Sequence, residues 1–143
     1  MNLAIKIINT AEQMMKLGEE IAREAVPPFC VHLTGQIGAG KTTFARGFIH
    51  ALGIEGPVKS PTFTLVETYS NGPINVNHLD LFRIDSTKDL EYIGFDDYLD
   101  DQSILLIEWP ESVAGDLPPP DLVLRIEVVG SSRKIELAEN LGE

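Results

Sequence analysis

Gly35-Gln36-Ile37-Gly38-Ala39-Gly40-Lys41-Thr42 satisfies the pattern G-x-x-x-x-G-K-[ST], and its reading decides the fold. Glycines let a backbone close into a nest whose amide hydrogens converge, and small residues leave that concavity open to polyphosphate oxygens. A helix starting near Lys41 adds its unpaired amides and the positive end of its dipole. Lys41 can then reach the outer phosphates, and the Thr42 hydroxyl can ligate magnesium, which prefers hard oxygen ligands. The competing reading is a chance glycine-rich turn. Context argues against it, because an apolar strand, Phe29 to Leu33, precedes the loop. A helix from Thr42 to Leu52 follows, with Phe44, Ala45, Phe48, Ile49 and Leu52 on one face and Gly53 as its stop. Gly35, Gly38, Ala39, Gly40, Lys41, Thr42 and Thr43 are therefore the expected nucleotide-binding residues.

Working outward, Thr10 caps an amphipathic helix with Gln13 three residues on and Met14, Leu17, Ile21 and Ala25 at helical spacing; Pro27 and Pro28 end it. A short strand, Leu3 to Ile8, is expected before it. TFTLVETY and INVNHLDLF flank Asn71-Gly72, a strong hairpin signal, and should be antiparallel neighbours. A small helix from Ser86 or Thr87 to Tyr92 is broken by Gly94. Ile104 to Ile107 reads as a strand buried on both faces. Beyond the stiff Pro118-Pro119-Pro120, Leu122 to Val129 alternates and turns through Gly130 to Ser132 into Lys134 to Ala138, a hairpin expected at a sheet edge. The order of elements predicts a single α/β domain over residues 1–143. It is P-loop NTPase-like, a three-layer sandwich whose mixed sheet carries an antiparallel edge hairpin and flanking helices.

A chain of 143 residues can bury a real core without a metal or disulfide staple. Its 11 Lys plus Arg against 22 Asp plus Glu give a net charge of −11, which repels phosphate backbones and argues against a general nucleic-acid-binding surface. No apolar run approaches the roughly 20 residues that span a bilayer, so no membrane association is expected. The start, MNLAIKIINT, is interrupted by Lys6 and lacks a signal pattern. The single cysteine, Cys30, lies among apolar neighbours and reads as core; with no intrachain disulfide possible, the chain suits the cytoplasm. Asp96, Asp97, Asp100 and Asp101 lack the spacing of a calcium loop and read as a solvated surface.

Phosphoryl transfer from a magnesium nucleotide needs an acidic group for the metal or its waters and another to orient the attacking oxygen. Glu108, directly after the apolar strand, is the favoured magnesium-side carboxylate with Thr42, and Asp80 the second carboxylate; the reverse assignment stays open, as does Asp80 as a simple strand cap. Lys41, Asp80 and Glu108 are the catalytic candidates. His78 shares a face with Asp80 but is set aside as a core or rim histidine. Arg83 reads equally as a surface residue or as a clamp on a phosphate or partner. Trp109 with Pro110 plugs the sheet's end on one reading. Ser60, Thr62 and Thr64 read either as an ordinary Ser-Pro turn or as a segment that senses a terminal phosphate and its metal. The chain has no N-K-x-D segment to read guanine, which favours adenine. Its few arginines do not cluster as a kinase lid would, so hydrolysis is favoured over transfer. A nucleotide-sensing regulatory module and a small-metabolite kinase are the alternatives.

Four ordered segments, GQIGAGKTT at Gly35 to Thr43, KSPTFTLVETY at Lys59 to Tyr69, HLDLFRI at His78 to Ile84 and EWPE at Glu108 to Glu111, resemble the TsaE family, formerly YjeE. The resemblance covers nearly the whole chain. It implies a small ATPase, using ATP and Mg2+, needed for the threonylcarbamoyl modification of adenosine next to the tRNA anticodon. It also implies action with TsaD and TsaB, tRNA being handled only through that complex, with hydrolysis supporting repeated turnover. Lys41 and Thr42 match the family's phosphate and magnesium positions, Asp80 its H-x-D acid, Glu108 and Trp109 its E-W-P motif, and Ser60 to Thr64 its switch-like segment; Arg83 matches too. Gln36, Phe63 and Phe82 depart from residues frequent in the family, each at a peripheral position.

Overall fold

A computed structural model describes residues 2–139. It orders them as β1 (Asn2–Ile8), α1 (Ala11–Glu24), β2 (Phe29–Gly35), α2 (Lys41–Ala51), β3 (Val66–Ser70), β4 (Asn75–Asp80), α3 (Thr87–Tyr92), β5 (Ser103–Glu108), β6 (Leu122–Val129) and β7 (Ser132–Glu139). Short 3-10 turns lie at Phe95–Tyr98 and Glu111–Asp116. The strands form one seven-stranded sheet in the order β1-β7-β6-β2-β5-β4-β3. β6, β2, β5 and β4 run parallel; β1, β7 and β3 are antiparallel to their neighbours.

The period-2 pleat sorts the apolar residues onto two faces. Val31, Leu33, Ile104, Leu106 and Leu124 meet Met14 and Leu17 of α1 and Phe44, Phe48 and Ile49 of α2. Cys30, Leu79, Leu105 and Ile107 meet Leu90 of α3 with Phe95, Val113 and Leu117. Every residue of β5 is buried, as its unbroken apolar run requires when helical layers cover both faces. Burial pushes the Cys30 thiol up to about 12, in keeping with a core residue and not a nucleophile. Asp96, Asp97, Asp100 and Asp101 are exposed as expected. Among the described residues no helix is long and apolar enough to cross a membrane.

The Thr10 cap forms: its Oγ1 accepts from the Gln13 amide at 3.1 Å, while Gln13 Oε1 reaches back to the Asn9 amide at 2.7 Å. α1 and α2 then pack closer than any side chain permits. A Cβ on Gly18 would lie 2.3 Å from the Phe44 carbonyl oxygen, and one on Gly47 would lie 2.0 Å from that of Met15. These glycines lock the two helices in register and thereby fix where α2 begins.

Two expectations change. The β6–β7 hairpin is not at an edge, because β1 pairs along β7 from Glu139, opposite Asn2, to Arg133, opposite Ile8. β1 supplies the partners for the outer row of β7 amides and carbonyls, and Ile8 joins the core beside α1. The hairpin that does lie at an edge is β3–β4, at the other end of the sheet. The stretch TFTLVETY is a strand only from Val66, since the Leu65 amide donates to the Pro61 carbonyl at 2.8 Å and Leu65 sits at φ 70°, curling Thr62–Leu65 off the sheet. As expected, β3 and β4 are antiparallel neighbours around Asn71-Gly72, and the connection between them spans Asn71 to Ile74. The Asn71 amide closes it on the Ile74 carbonyl at 3.1 Å, and the Asn71 side chain is held by the Leu52 carbonyl.

Gly47→Ala forces backbone against backbone, so it should lower stability by about 3 kcal/mol or more. In a thermal melt this is a fall of roughly 10 °C. An unchanged melting temperature would mean that the two helices have room to spare.

Candidate functional site

Parallel strands present their carboxyl ends on one side of the sheet, and here three of those ends converge. β2 runs into Gly35, while Asp80 ending β4 and Glu108 ending β5 sit opposite one another in register. The loop then arches from Gly35 to α2. Gly38 (φ 81°) and Gly40 (φ 117°) both occupy conformations that side chains rarely adopt. Nothing lies within 4 Å of where a Gly38 Cβ would stand, so the loop's outer face is open. Gly40 caps α2 with no side-chain bond, leaving the first amides of an 11-residue helix available.

Lys41 is 5% exposed. Its Nζ donates to the Gly35 carbonyl at 2.6 Å, lies 3.9 Å from Glu108 Oε1, and stands 3.8 Å above the centre of the Trp109 ring. Burial pushes its pKa below the ordinary lysine value, against the pull of Glu108, Asp80 and Glu111, which favour the charged form. The other oxygen of Glu108 meets His78 Nε2 at 2.5 Å. His78 is fully buried, and its Nδ1 has no partner among the described residues. The carboxylate is therefore held between an ammonium and an imidazole. Asp80 Oδ1 accepts from the Phe82 amide at 2.9 Å, so Asp80 does cap its strand, while it also faces the same cavity as Lys41. Trp109 sits at φ 56°, a left-handed conformation costing a bulky residue on the order of 1 kcal/mol, and its ring meets Phe82 edge-on at 5.1 Å.

Gly38, Gly40, Lys41, Thr42, Thr43, Ser60, Thr62, Asp80, Arg83, Glu108 and Trp109 line one cavity of about 440 Å³. Gly35 lies beneath it, as the acceptor for Lys41, and Ala39 is buried under the loop. Thr64 is not brought in: its hydroxyl donates to Glu67 at 3.1 Å. Ser60 Oγ and Thr62 Oγ1 are bonded to each other at 2.7 Å, and Arg83 holds the Thr62 carbonyl at 2.6 Å. Ile37 and Phe63, 79% and 88% exposed, form an apolar rim at the cavity mouth.

Sequence reasoning missed two features. His78 reads from the sequence as a core or rim histidine, although its place two residues before Asp80 on one strand face puts it beside the same neighbouring strand. A second cavity, of about 180 Å³, shares Gly38, Gly40 and Thr43 with the first and extends past Ala39 to Asn9, Thr10 and Arg133. Arg133 Nε donates to the Ala39 carbonyl at 3.0 Å across 94 residues, a contact no local pattern announces.

The fold and site define an α/β protein whose glycine-rich loop opens between a central strand and a helix, beside paired strand-end carboxylates. The model of one family, described as Threonylcarbamoyl adenosine biosynthesis protein TsaE, matches residues 8–135, and the chain belongs to that family. It is 42% identical to the tRNA threonylcarbamoyladenosine biosynthesis protein TsaE of Haemophilus influenzae, over 93% of this chain and 82% of that protein. It is 34% identical to the protein of the same name from Bacillus subtilis, over 86% of this chain and 77% of that one. The crystal structure titled Bacillus subtilus YdiB is similar with a TM-score of 0.81 at 28% identity, covering 96% of this chain and 86% of the other.

A proton shared between His78 and Glu108 inside the core should give a slowly exchanging, far-downfield imidazole resonance in the proton NMR spectrum, lost in Glu108→Ala. Its absence from the parent protein would contradict the buried pair.

Proposed function

We propose that this chain is a cytoplasmic P-loop ATPase, a single three-layer domain that binds and hydrolyses ATP in support of threonylcarbamoyladenosine formation next to the tRNA anticodon. The observation that carries the reading is the cavity in which a buried lysine, an open helix N-terminus and two strand-end carboxylates face one another. Such a set suits a polyphosphate better than any neutral ligand. A triphosphate gives Lys41 a stronger anionic partner than the Gly35 carbonyl, and the loop amides supply donors without bringing any further charge.

Glu108 then loses the ammonium beside it and is free for another cation. Thr42, with Glu108 and Asp80 directly or through water, would hold a magnesium ion, which would neutralise charge on the outer phosphates. This donor set is all oxygen, as magnesium prefers. Asp80 and Glu108 would also orient an attacking water, and the His78 bond holds Glu108 in place. Gly38, Gly40 and Thr43 wall both cavities, so the phosphates would sit in the larger and the nucleoside in the smaller, near Asn9, Thr10 and Arg133.

The likeness to proteins named for tRNA threonylcarbamoyladenosine biosynthesis supports the pathway. TsaD and TsaB are the proposed partners. The net charge of −11 fits an arrangement in which those partners, and not this chain, meet the tRNA. The exposed rim of Ile37 and Phe63 favours one second reading, a sensor that switches a partner by nucleotide state without turnover. Modification that runs through many cycles on a non-hydrolysable analogue would select the sensor.

Lys41→Ala should weaken nucleotide binding by at least about 100-fold, read by calorimetry; equal binding by parent and variant overturns the proposal. Asp80→Ala and Glu108→Ala should each lower ATP turnover by about tenfold or more with an unchanged circular dichroism spectrum, as loss of a transition-state group does. Unchanged rates would return both carboxylates to a structural role.

A further inference from the structure

Residues Ser60 to Leu65 fold as a loop closed on itself by the Ser60–Thr62 hydroxyl pair and by the Leu65 amide on the Pro61 carbonyl. At its base the Leu65 carbonyl accepts from the Asp80 amide at 2.9 Å. At its tip, where Phe63 is 88% exposed, Thr64 bonds Glu67 on the adjoining β3, and among the described residues one further hydrogen bond ties Thr62–Thr64 to a residue outside the loop. It runs from Arg83 Nη2 to the Thr62 carbonyl, at 2.6 Å across 21 residues. Arg83 follows Asp80 by three positions and lines the same cavity as Lys41, Thr42 and Glu108.

A guanidinium carries five N–H donors, and in the hydrogen bonds of this structure Arg83 commits Nη2 alone. The rest of its fork is free, its side chain is exposed, and it forms no ion pair among the described residues. Forked N–H pairs match phosphate oxygens in geometry and charge, and charge-assisted bonds of this kind are roughly twice as strong as neutral ones.

Resting on the nucleotide reading above, we infer that Arg83 makes this site distinguish a nucleoside triphosphate from a diphosphate. Its guanidinium bridges the terminal phosphate to the Thr62 carbonyl and so orders the Ser60–Thr64 loop over a triphosphate. A diphosphate, one phosphoryl group shorter, leaves the bridge with only its Thr62 end. The loop therefore carries the identity of the bound nucleotide to the surface, where Phe63 displays it.

The test compares the parent chain with Arg83→Ala, Arg83→Gln and Arg83→Lys, each with Mg–ADP and with magnesium and a non-hydrolysable ATP analogue. Calorimetry gives both affinities, and hydrogen exchange follows peptides spanning residues 59–66. The ratio of triphosphate to diphosphate affinity should fall by about tenfold in the Ala and Gln variants, the worth of one bond to a charged group. Arg83→Lys, a point charge without the fork, should recover only part of it. In the parent the loop should exchange more slowly with the analogue than with ADP, and that difference should vanish in the Ala and Gln variants. Variants that keep the parent's affinity ratio and its loop protection overturn the inference and leave the nucleotide reading standing, because ADP binding persists. A parent chain that takes up neither nucleotide overturns both.

Discussion

The ammonium of Lys41 is the constraint around which the rest of this site is arranged. A charge so far removed from water is tolerated only when every donor has a partner, and here the Gly35 carbonyl, Glu108 and the Trp109 ring supply them. Each of those partners is in turn fixed from elsewhere. Gly35 is the last residue of a parallel strand, Glu108 is tied to a buried histidine, and Trp109 is held in a strained left-handed backbone against Phe82. A buried cation balanced by a neutral carbonyl, one carboxylate and a π face is poised to exchange those partners for a more highly charged anion.

Positioning comes from the sheet and the helix pair together. Parallel pairing of β2, β5 and β4 brings Gly35, Glu108 and Asp80 to one side, and the close contact of Gly18 with Gly47 seats α2 so that its N-terminus points at them. The molecule is strongly acidic, yet a nest of main-chain amides attracts an anion over a few ångströms, a range on which the diffuse surface charge is screened. Global repulsion of phosphate and local capture of phosphate are therefore compatible.

Much of this was legible in the sequence where a local rule is strict. The glycine-rich stretch from Gly35 lies between a strand and a helix, the Thr10 cap forms and the unbroken apolar run of β5 is buried, each where expected. What escaped depends on partners distant in the chain. β1 covers β7, at the opposite end of the sequence, so the β6–β7 hairpin is interior. Thr62–Leu65 has strand-like composition, but Pro61 and the turn closed by Leu65 take it off the sheet and place Ser60 and Thr62 on the cavity wall. Thr64 faces Glu67 for the same reason. His78 read as an ordinary core residue because only the β4–β5 register brings it to Glu108, and the Gly18–Gly47 contact is invisible until two helices are packed.

The most direct measurement is amide chemical-shift mapping of the folded, isotope-labelled chain during titration with Mg–ADP. If the loop amides and the Lys41 ammonium form the phosphate site, the resonances of Gly38 to Thr43 should shift first and saturably, with Glu108 and Trp109 following as Lys41 changes partners. Shifts confined to other parts of the sheet, or an unchanged spectrum at millimolar nucleotide, would contradict the account.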